Sequence, residues 1–161
     1  MEPGDSLKAR NKKDAPNRTF TLTQAQQMIP VLSGLLRGAL RNKARVQKIN
    51  EEFKDLSTRI MVNGGIQMDI GQYSRLKAER EKLLQQVKDA LAEITATGVQ
   101  VKDLDIGLLD FPCEVNNEII LLCWKLGERQ ISHWHGLEEG YAGRKRIDDR
   151  MLKADARRAK H

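Results

Sequence analysis

Between Ala25 and Ile60, seam positions recur at alternating intervals of three and four, the spacing of a helix that packs along one side. Thr21 is the predicted N-cap of this helix, and Gln24 completes a capping box with it. Pro30 falls inside the pattern and is predicted to kink the helix or to split off a short first one. The seam consists of two rows, Ala25, Leu32, Ala39, Val46, Phe53 and Ile60 in one and Met28, Leu35, Asn42, Ile49 and Leu56 in the other.

A second helix is predicted from about Ile70 to Ala96, after a turn at 63–65 whose glycines allow a left-handed helix end. The short connection makes the two helices antiparallel neighbours. The first helix is the longer one, at roughly 60 Å, so part of its apolar side is left for another surface to cover. The C-terminal unit or a second copy of the chain is expected to cover it, and a homodimer through the helix seams is one prediction.

Beyond Val99 the pattern of apolar residues becomes typical of β-strands. Three strands are predicted, Ile106–Phe111, Glu118–Leu126 and Ile131–His135. Asn116-Asn117 is a predicted two-residue hairpin turn, because asparagine tolerates the positive φ that such turns require. The predicted fold class is therefore α+β, mainly α: a long antiparallel two-helix hairpin, coiled-coil-like, followed by a small antiparallel β-meander.

One folded domain is predicted over residues 19–147, with the helical hairpin at about 21–97 and the β-rich unit at about 99–143. Residues 1–18 lack periodicity and are interpreted as a flexible arm. Residues 148–161 form a basic tail with helical potential from Asp148 to Ala159.

The net charge of +6 is concentrated at the two ends of the 161-residue chain. Residues 1–19 hold five Lys/Arg against three Asp/Glu, and residues 144–161 hold eight against three, which leaves 20–143 close to neutral. A nearly neutral body disfavours a nucleic-acid-binding domain of the usual kind, whose folded face is basic. Binding of a nucleic acid or a ribosome through the basic ends stays open as an alternative.

The two cysteines, Cys113 and Cys123, are too few for a disulfide framework and too far apart for a C-x-x-C motif. The longest apolar run, Ile119–Trp124, is far too short to span a bilayer. No apolar stretch near the first residue resembles a signal peptide. We therefore expect free thiols, no membrane segment and a cytoplasmic location.

The tripeptide His133-Trp134-His135 is the most suggestive chemical feature of the sequence. Alternate residues of a strand face the same way, so both imidazoles are placed to bind one metal ion. Glu139 follows four residues later as a candidate oxygen ligand. Two histidines and a carboxylate are a recurring set for zinc or non-haem iron, and manganese is a third candidate. A His-x-His pair is also common by chance, and either ring can instead bond a backbone carbonyl.

Strand registers add a carboxylate and a thiol to this patch. If the first hairpin loop has two residues, Asp110 pairs with Cys123, and if the second has three, Cys123 pairs with His133. These three residues then lie side by side on one face of the sheet, with His135 next along. A two-residue second loop would reverse the facing of the third strand and scatter the group.

The predicted metal ligands are thus Asp110, His133, His135 and Glu139, with Cys123, Trp134 and Arg144 as accessory candidates. The segment from Gly140 to Arg146 is interpreted as an anion-binding turn or, more simply, as a glycine-rich exit from the fold. Cys123 lies in an apolar run and is also interpretable as a small buried hydrophobe. Trp134 is equally suited to anchoring a core or an interface.

Five sequence motifs together resemble one known family. They are Phe20-Thr21-Leu22, residues 107–112 (GLLDFP), 122–128 (LCWKLGE), 131–135 (ISHWH) and 140–144 (GYAGR). The chain resembles the bacterial domain-of-unknown-function family numbered 2203 over about residues 19–147. That family carries no established activity, so the resemblance implies a fold and a shared patch of polar residues, and no reaction.

Three functions follow from these observations. The leading hypothesis is a ligand-binding protein with a metal or small-anion site in the β-rich unit. An enzymatic version would be a metal-assisted hydrolase or an oxygenase with an open coordination position. The rivals are a nucleic-acid or ribosome-associated protein acting through its basic termini, and a coiled-coil adaptor whose uncovered helix face binds a partner helix.

Overall fold

The computed structural model of the chain describes residues 18–62, 64 and 70–160. Two long helices are followed by a five-stranded sheet and a short third helix, which confirms the predicted α+β, mainly α, class. A 3-10 turn, Tyr141–Gly143, precedes the last strand. The helices and strands are α1 (Leu22–Val62), α2 (Ile70–Ala96), β1 (Gln100–Asp103), β2 (Leu108–Val115), β3 (Glu118–Lys125), β4 (His133–His135), β5 (Lys145–Arg146) and α3 (Asp149–Ala159).

The start of α1 is the predicted capping box. The backbone N–H of Gln24 donates to Thr21 Oγ1 (3.1 Å), and the N–H of Thr21 donates to Gln24 Oε1 (3.0 Å). These reciprocal bonds satisfy two donors that a helix N-terminus otherwise leaves unpaired. Pro30 lies within α1, which continues through it as one helix of 41 residues, so no short first helix splits off.

The helices α1 and α2 form the predicted antiparallel hairpin. Paired residues on the two helices run in opposite directions, as Asn42 with Gln86 (3.1 Å) and Phe53 with Tyr73 (ring centroids 5.1 Å apart) illustrate. Gly64 has the left-handed backbone expected after a helix end (φ +67°). The rest of the predicted turn at 63–65, and residues 66–69, lie outside the described residues, as do residues 1–17 of the predicted arm.

The sheet is an antiparallel meander in the order β1-β2-β3-β4-β5. Asn116 and Asn117 both have positive φ (51° and 65°), as the predicted two-residue turn requires. The strand boundaries differ from the predicted ones, because β2 runs on to Val115 while β4 is confined to three residues. The two-residue strand β5 was not predicted: its sequence, Lys-Arg, carries no apolar alternation.

One face of the sheet packs against the first half of α1. The core joins Leu109, Phe111, Leu122 and Trp124 of the sheet to buried residues of α1, and Ile94 of α2 completes it. The α1 residues are Ala25, Ile29, Leu32 and Leu36. The C-terminal unit therefore covers the apolar side of α1 that suggested a homodimer or an adaptor.

The predicted helix in the basic tail forms as α3 and contacts the rest of the fold. Asp148 caps it by accepting a hydrogen bond from the Met151 N–H (3.2 Å). Met151 is buried in the core, and Asp155 accepts from Thr23 Oγ1 (2.6 Å) at the start of α1. Among the residues that the structure describes, no helix combines the length and apolarity needed to cross a bilayer.

Candidate metal centre

The registers of β2, β3 and β4 place three polar residues in one row across the sheet. Asp110 pairs with Cys123, and Cys123 pairs with His133, as the predicted loop lengths required. Cross-strand partners in a ladder point to the same face. The conditional register prediction is confirmed, although β3 ends at Lys125 and β4 begins only at His133.

This row lies on the sheet face that is turned away from α1. Side chains alternate between faces along a strand, and the neighbours of the row, Leu109 with Trp124 and Phe111 with Leu122, belong to the core. His135 is two residues beyond His133 and so shares the face of the row. The segment 136–144 follows directly and supplies contacts to this face.

Asp110, Cys123 and His135 bring a carboxylate oxygen, a sulfur and an imidazole nitrogen within 4.8 Å of one another. All three side chains are withdrawn from solvent, at 1%, 1% and 2% exposure. Buried polar side chains of this kind normally have every polar atom paired. The cluster therefore identifies the place in the described part of the chain where an ion has most reason to bind.

The hydrogen bonds of His135 and Asp110 leave one buried atom without a partner. His135 Nδ1 donates to the Gly136 carbonyl (2.8 Å), and His135 Nε2 shares a proton with Asp110 Oδ2 (2.9 Å). Asp110 Oδ1 is buried and has no hydrogen-bond partner among the described residues. Burying a carboxylate oxygen without a partner costs folding free energy unless a hydrogen-bond donor or a cation reaches it.

Burial dominates the electrostatics of the cluster. It raises the pKa of the Asp110 carboxyl, against the opposing charge and hydrogen bond of His135 and smaller opposing effects of the Lys102 charge and the Cys123 thiol. It also raises the pKa of the Cys123 thiol to about 11, against the opposing effect of the neighbouring Arg144 guanidinium. Both shifts have the same cause, because loss of solvation disfavours the anionic form of each group more than the nearby positive charges favour it.

His133 and Glu139, two of the four predicted ligands, lie outside this cluster. His133 is half-buried, and its Nδ1 lies 2.9 Å from Ser132 Oγ. Burial, followed by the charge of Arg144, lowers the pKa of His133. The exposed carboxylate of Glu139 accepts from Lys145 Nζ (3.0 Å), and that hydrogen bond lowers the pKa of Glu139.

The other accessory candidates have partners of their own. Both oxygens of Glu128 accept from Arg144 Nη1 (3.1 and 3.3 Å), and the guanidinium lies over the Tyr141 ring at 4.5 Å. The ammonium of Lys145 lies 4.8 Å from the Trp134 ring centroid. These contacts hold the segment 136–144 beside the cluster.

Sequence reasoning did not identify Gly136, whose carbonyl fixes the orientation of the His135 ring. A backbone carbonyl leaves no signature in residue type, and the only sequence signal was its position directly after a histidine. The sequence predicts Cys123 only as an accessory candidate, yet its sulfur is one of the three clustered ligand atoms.

Residues 18–147 match the family model described as "Uncharacterized conserved protein (DUF2203)". The chain belongs to this family. The match covers both long helices and all five strands, and it ends just before α3. No curated protein and no solved structure matches the chain. Membership therefore places the chain in an uncharacterised family and assigns no reaction.

Proposed function

We propose that this protein binds a transition-metal ion through Asp110, Cys123 and His135. The observation that carries the proposal is the buried Asp110 Oδ1, which has no partner among the described residues and lies in a cluster whose ligand atoms are within 4.8 Å of one another. A divalent cation would supply the missing partner and would offset the cost of burying the carboxylate and a thiolate.

The donor set favours zinc among the three metals considered. One oxygen, one nitrogen and one sulfur suit a borderline-soft ion, and zinc sites commonly combine cysteine, histidine and carboxylate ligands. Iron accepts a similar set, whereas manganese prefers oxygen ligands and is less well matched by Cys123. We therefore rank zinc first, iron second and manganese third.

The orientation of His135 supports coordination through Nε2. Histidines that bind a metal usually donate the other ring N–H to a carbonyl or carboxylate, which fixes the ring and its tautomer. The bond from Nδ1 to the Gly136 carbonyl has this form. An ion bound at Nε2 would replace the proton that His135 shares with Asp110 Oδ2.

Three protein ligands leave a fourth position of a tetrahedral ion open. A hydrolase or an oxygenase would need substrate to reach that position, but the three ligands are at most 2% exposed. Arg144, the group best suited to a small anion, is already paired with both oxygens of Glu128. Metal binding is therefore better supported than catalysis or anion binding.

Elemental analysis of the tag-free protein tests the proposal. Wild type, after dialysis against zinc and removal of excess ion, is expected to hold close to one equivalent. Asp110→Asn, Cys123→Ala and His135→Gln each remove one ligand, and the loss of an inner ligand should lower affinity by at least the 10–100-fold typical of an outer-shell change.

Matched controls separate this ligand set from the one predicted by the His-x-His motif. His133→Ala and Glu139→Gln change residues outside the cluster and should retain wild-type zinc content. Circular dichroism of each variant checks that it is folded. A wild-type protein that retains no metal after reconstitution, or zinc content that depends on His133 and Glu139 but not on Cys123, would contradict the proposal.

A further inference from the structure

The helix α3 has one side that anchors it to the domain. Met151 on this side is only 8% exposed, and Asp155 binds Thr23 at the start of α1. Arg158 donates to the Glu114 carbonyl of β2 (2.8 Å). These three contacts come from one face, because residues three or four apart on a helix lie above one another. The opposite face of α3 therefore has a fixed orientation towards solvent.

Four basic residues form a stripe on that opposite face: Arg150, Lys153 and Arg157 within α3, and Lys160 as its C-cap. Their intervals of three, four and three keep them on one side of the helix, along a length of about 15 Å. All four are exposed. Among the described residues, Lys153, Arg157 and Lys160 take part in no salt bridge, and Arg150 pairs with Asp148 (3.1 Å). We call these four residues the basic stripe.

The acidic residues near the basic stripe do little to neutralise it. Asp148 is engaged as the N-cap of α3, and Asp155 accepts hydrogen bonds from Thr23 on the anchored side. Asp149 lies in the first turn, where a carboxylate stabilises the helix N-terminus. The C-terminal two thirds of the basic stripe consequently presents positive charge alone.

We propose that the basic stripe binds the phosphodiester backbone of a nucleic acid. A strand of duplex nucleic acid carries one phosphate per about 3.4 Å, so a stripe of this length faces about four phosphates. The ammonium and guanidinium groups sit on a helix held by its other face, which reduces the ordering cost of binding. Affinity would come from charge and would be independent of base sequence.

The arrangement of apolar residues in α3 argues against a membrane as the partner. An amphipathic helix binds a bilayer by inserting its apolar face. The apolar residue Met151 of α3 is packed in the core and is therefore not free to insert into a bilayer. Leu152 is a large apolar side chain of α3 that remains exposed, at 49%. Anionic lipid therefore meets no insertable face on this helix.

Fluorescence anisotropy with a labelled 20-base-pair duplex and a labelled 20-nucleotide single strand of mixed sequence tests the proposal on the full-length protein. We expect Lys153→Ala/Arg157→Ala to weaken binding of at least one probe by tenfold or more at about 50 mM salt. The slope of log K against log salt should become less steep by about one unit per cation removed. The control Lys77→Ala/Lys88→Ala removes the same net charge from exposed positions of α2.

Both variants alter exposed side chains with no salt bridge to the described residues, so each should keep the wild-type fold. Vesicles containing about 30% phosphatidylserine serve as the membrane probe. The proposal is overturned if neither nucleic acid binds, if the two double variants weaken binding equally, or if the vesicles bind through the basic stripe more tightly than either nucleic acid.

Discussion

Gly107 allows the tight turn from which β2 enters the sheet. Its backbone is left-handed (φ +65°), a conformation that costs other residues about 1–2 kcal/mol. A Cβ at this position would lie 2.4 Å from the Cβ of Leu126, and the Leu126 N–H donates to the Gly107 carbonyl (2.9 Å). The turn therefore sets how the start of β2 meets the end of β3, three residues before Asp110.

Gly107→Ala is expected to lower the free energy of unfolding by about 2–5 kcal/mol, the sum of backbone strain and overpacking. Gly127→Ala is the matched control, because Gly127 also has positive φ (+101°) but open space around its Cα. We expect that variant to lose only the strain, about 1–2 kcal/mol. Urea unfolding measures both, and equal losses would show that the contact with Leu126 has no energetic weight.

Pro112 explains why a predicted strand end was wrong. The predicted strand ended at Phe111, directly before this proline, which lacks the backbone N–H that a ladder pairing uses. The Pro112 carbonyl accepts from the Phe20 N–H (2.7 Å). The carbonyl that binds Phe20 points away from β3. Because the N and C=O of a strand residue point to the same edge, the proline nitrogen, which has no hydrogen to donate, also points away from β3. Pro112 can therefore pair with Leu121, and β2 continues to Val115.

At the scale of elements, α3 depends on its cap and on its few contacts with the domain. The pKa of Asp148 is lowered by the hydrogen bond from the Met151 N–H and by the hydrogen bond from Arg150. A carboxyl group whose pKa is lower in the folded protein than in the unfolded chain stabilises the folded state at pH values above its unfolded pKa, which is about 3.9 for aspartate. This stabilisation is lost as the pH falls through the lower pKa of the folded state.

Helicity of α3 should therefore decrease as the pH falls below about 4, before the rest of the chain unfolds. In Asp148→Asn the cap keeps a hydrogen-bond acceptor but cannot titrate. Backbone chemical shifts of α3, followed from about pH 6 to about pH 2.5, should change less in this variant. Identical titration curves for the two proteins would show that Asp148 does not govern the pH response of α3.

The helices were predictable from sequence, whereas the ends of the strands and the two-residue strand β5 were not. The predicted extent of α2, about Ile70 to Ala96, agrees with the structure, because apolar periodicity over many turns outweighs local ambiguity. In α1 the buried residues include Ile29 and Leu36, whereas the predicted seam passed through Met28 and Leu35. A coiled-coil seam assumes a single partner helix, but this part of α1 packs against a sheet and buries a wider side.

At the scale of the whole molecule, the sheet separates two environments. One face forms the hydrophobic core with α1, and the other holds Asp110, Cys123 and His135 beside the segment 136–144. An ion bound at these residues would connect β2, β3 and the end of β4. The bound ion would thus increase the free energy of unfolding. Once the free concentration of the ion exceeds its dissociation constant, this increase grows with the logarithm of that concentration.

The row of Asp110, Cys123 and His133 followed from counting loop residues, and the structure has this register. The clustering of His135 with Asp110 could not be predicted in the same way. It depends on side-chain rotamers and on the Gly136 carbonyl, which become fixed only when the segment 136–144 folds beside the sheet. Sequence therefore located the patch but not the three atoms that meet within it.

X-ray absorption at the zinc edge of the tag-free, zinc-loaded protein shows directly which atoms bind the metal. We expect one sulfur ligand at about 2.3 Å together with nitrogen and oxygen ligands at about 2.0–2.2 Å. Cys123→Ala should remove the sulfur shell, and His133→Ala should leave the spectrum unchanged. A zinc ion surrounded by nitrogen and oxygen alone in the wild-type protein, or a protein that retains no zinc to measure, would rule out a metal site built from Asp110, Cys123 and His135.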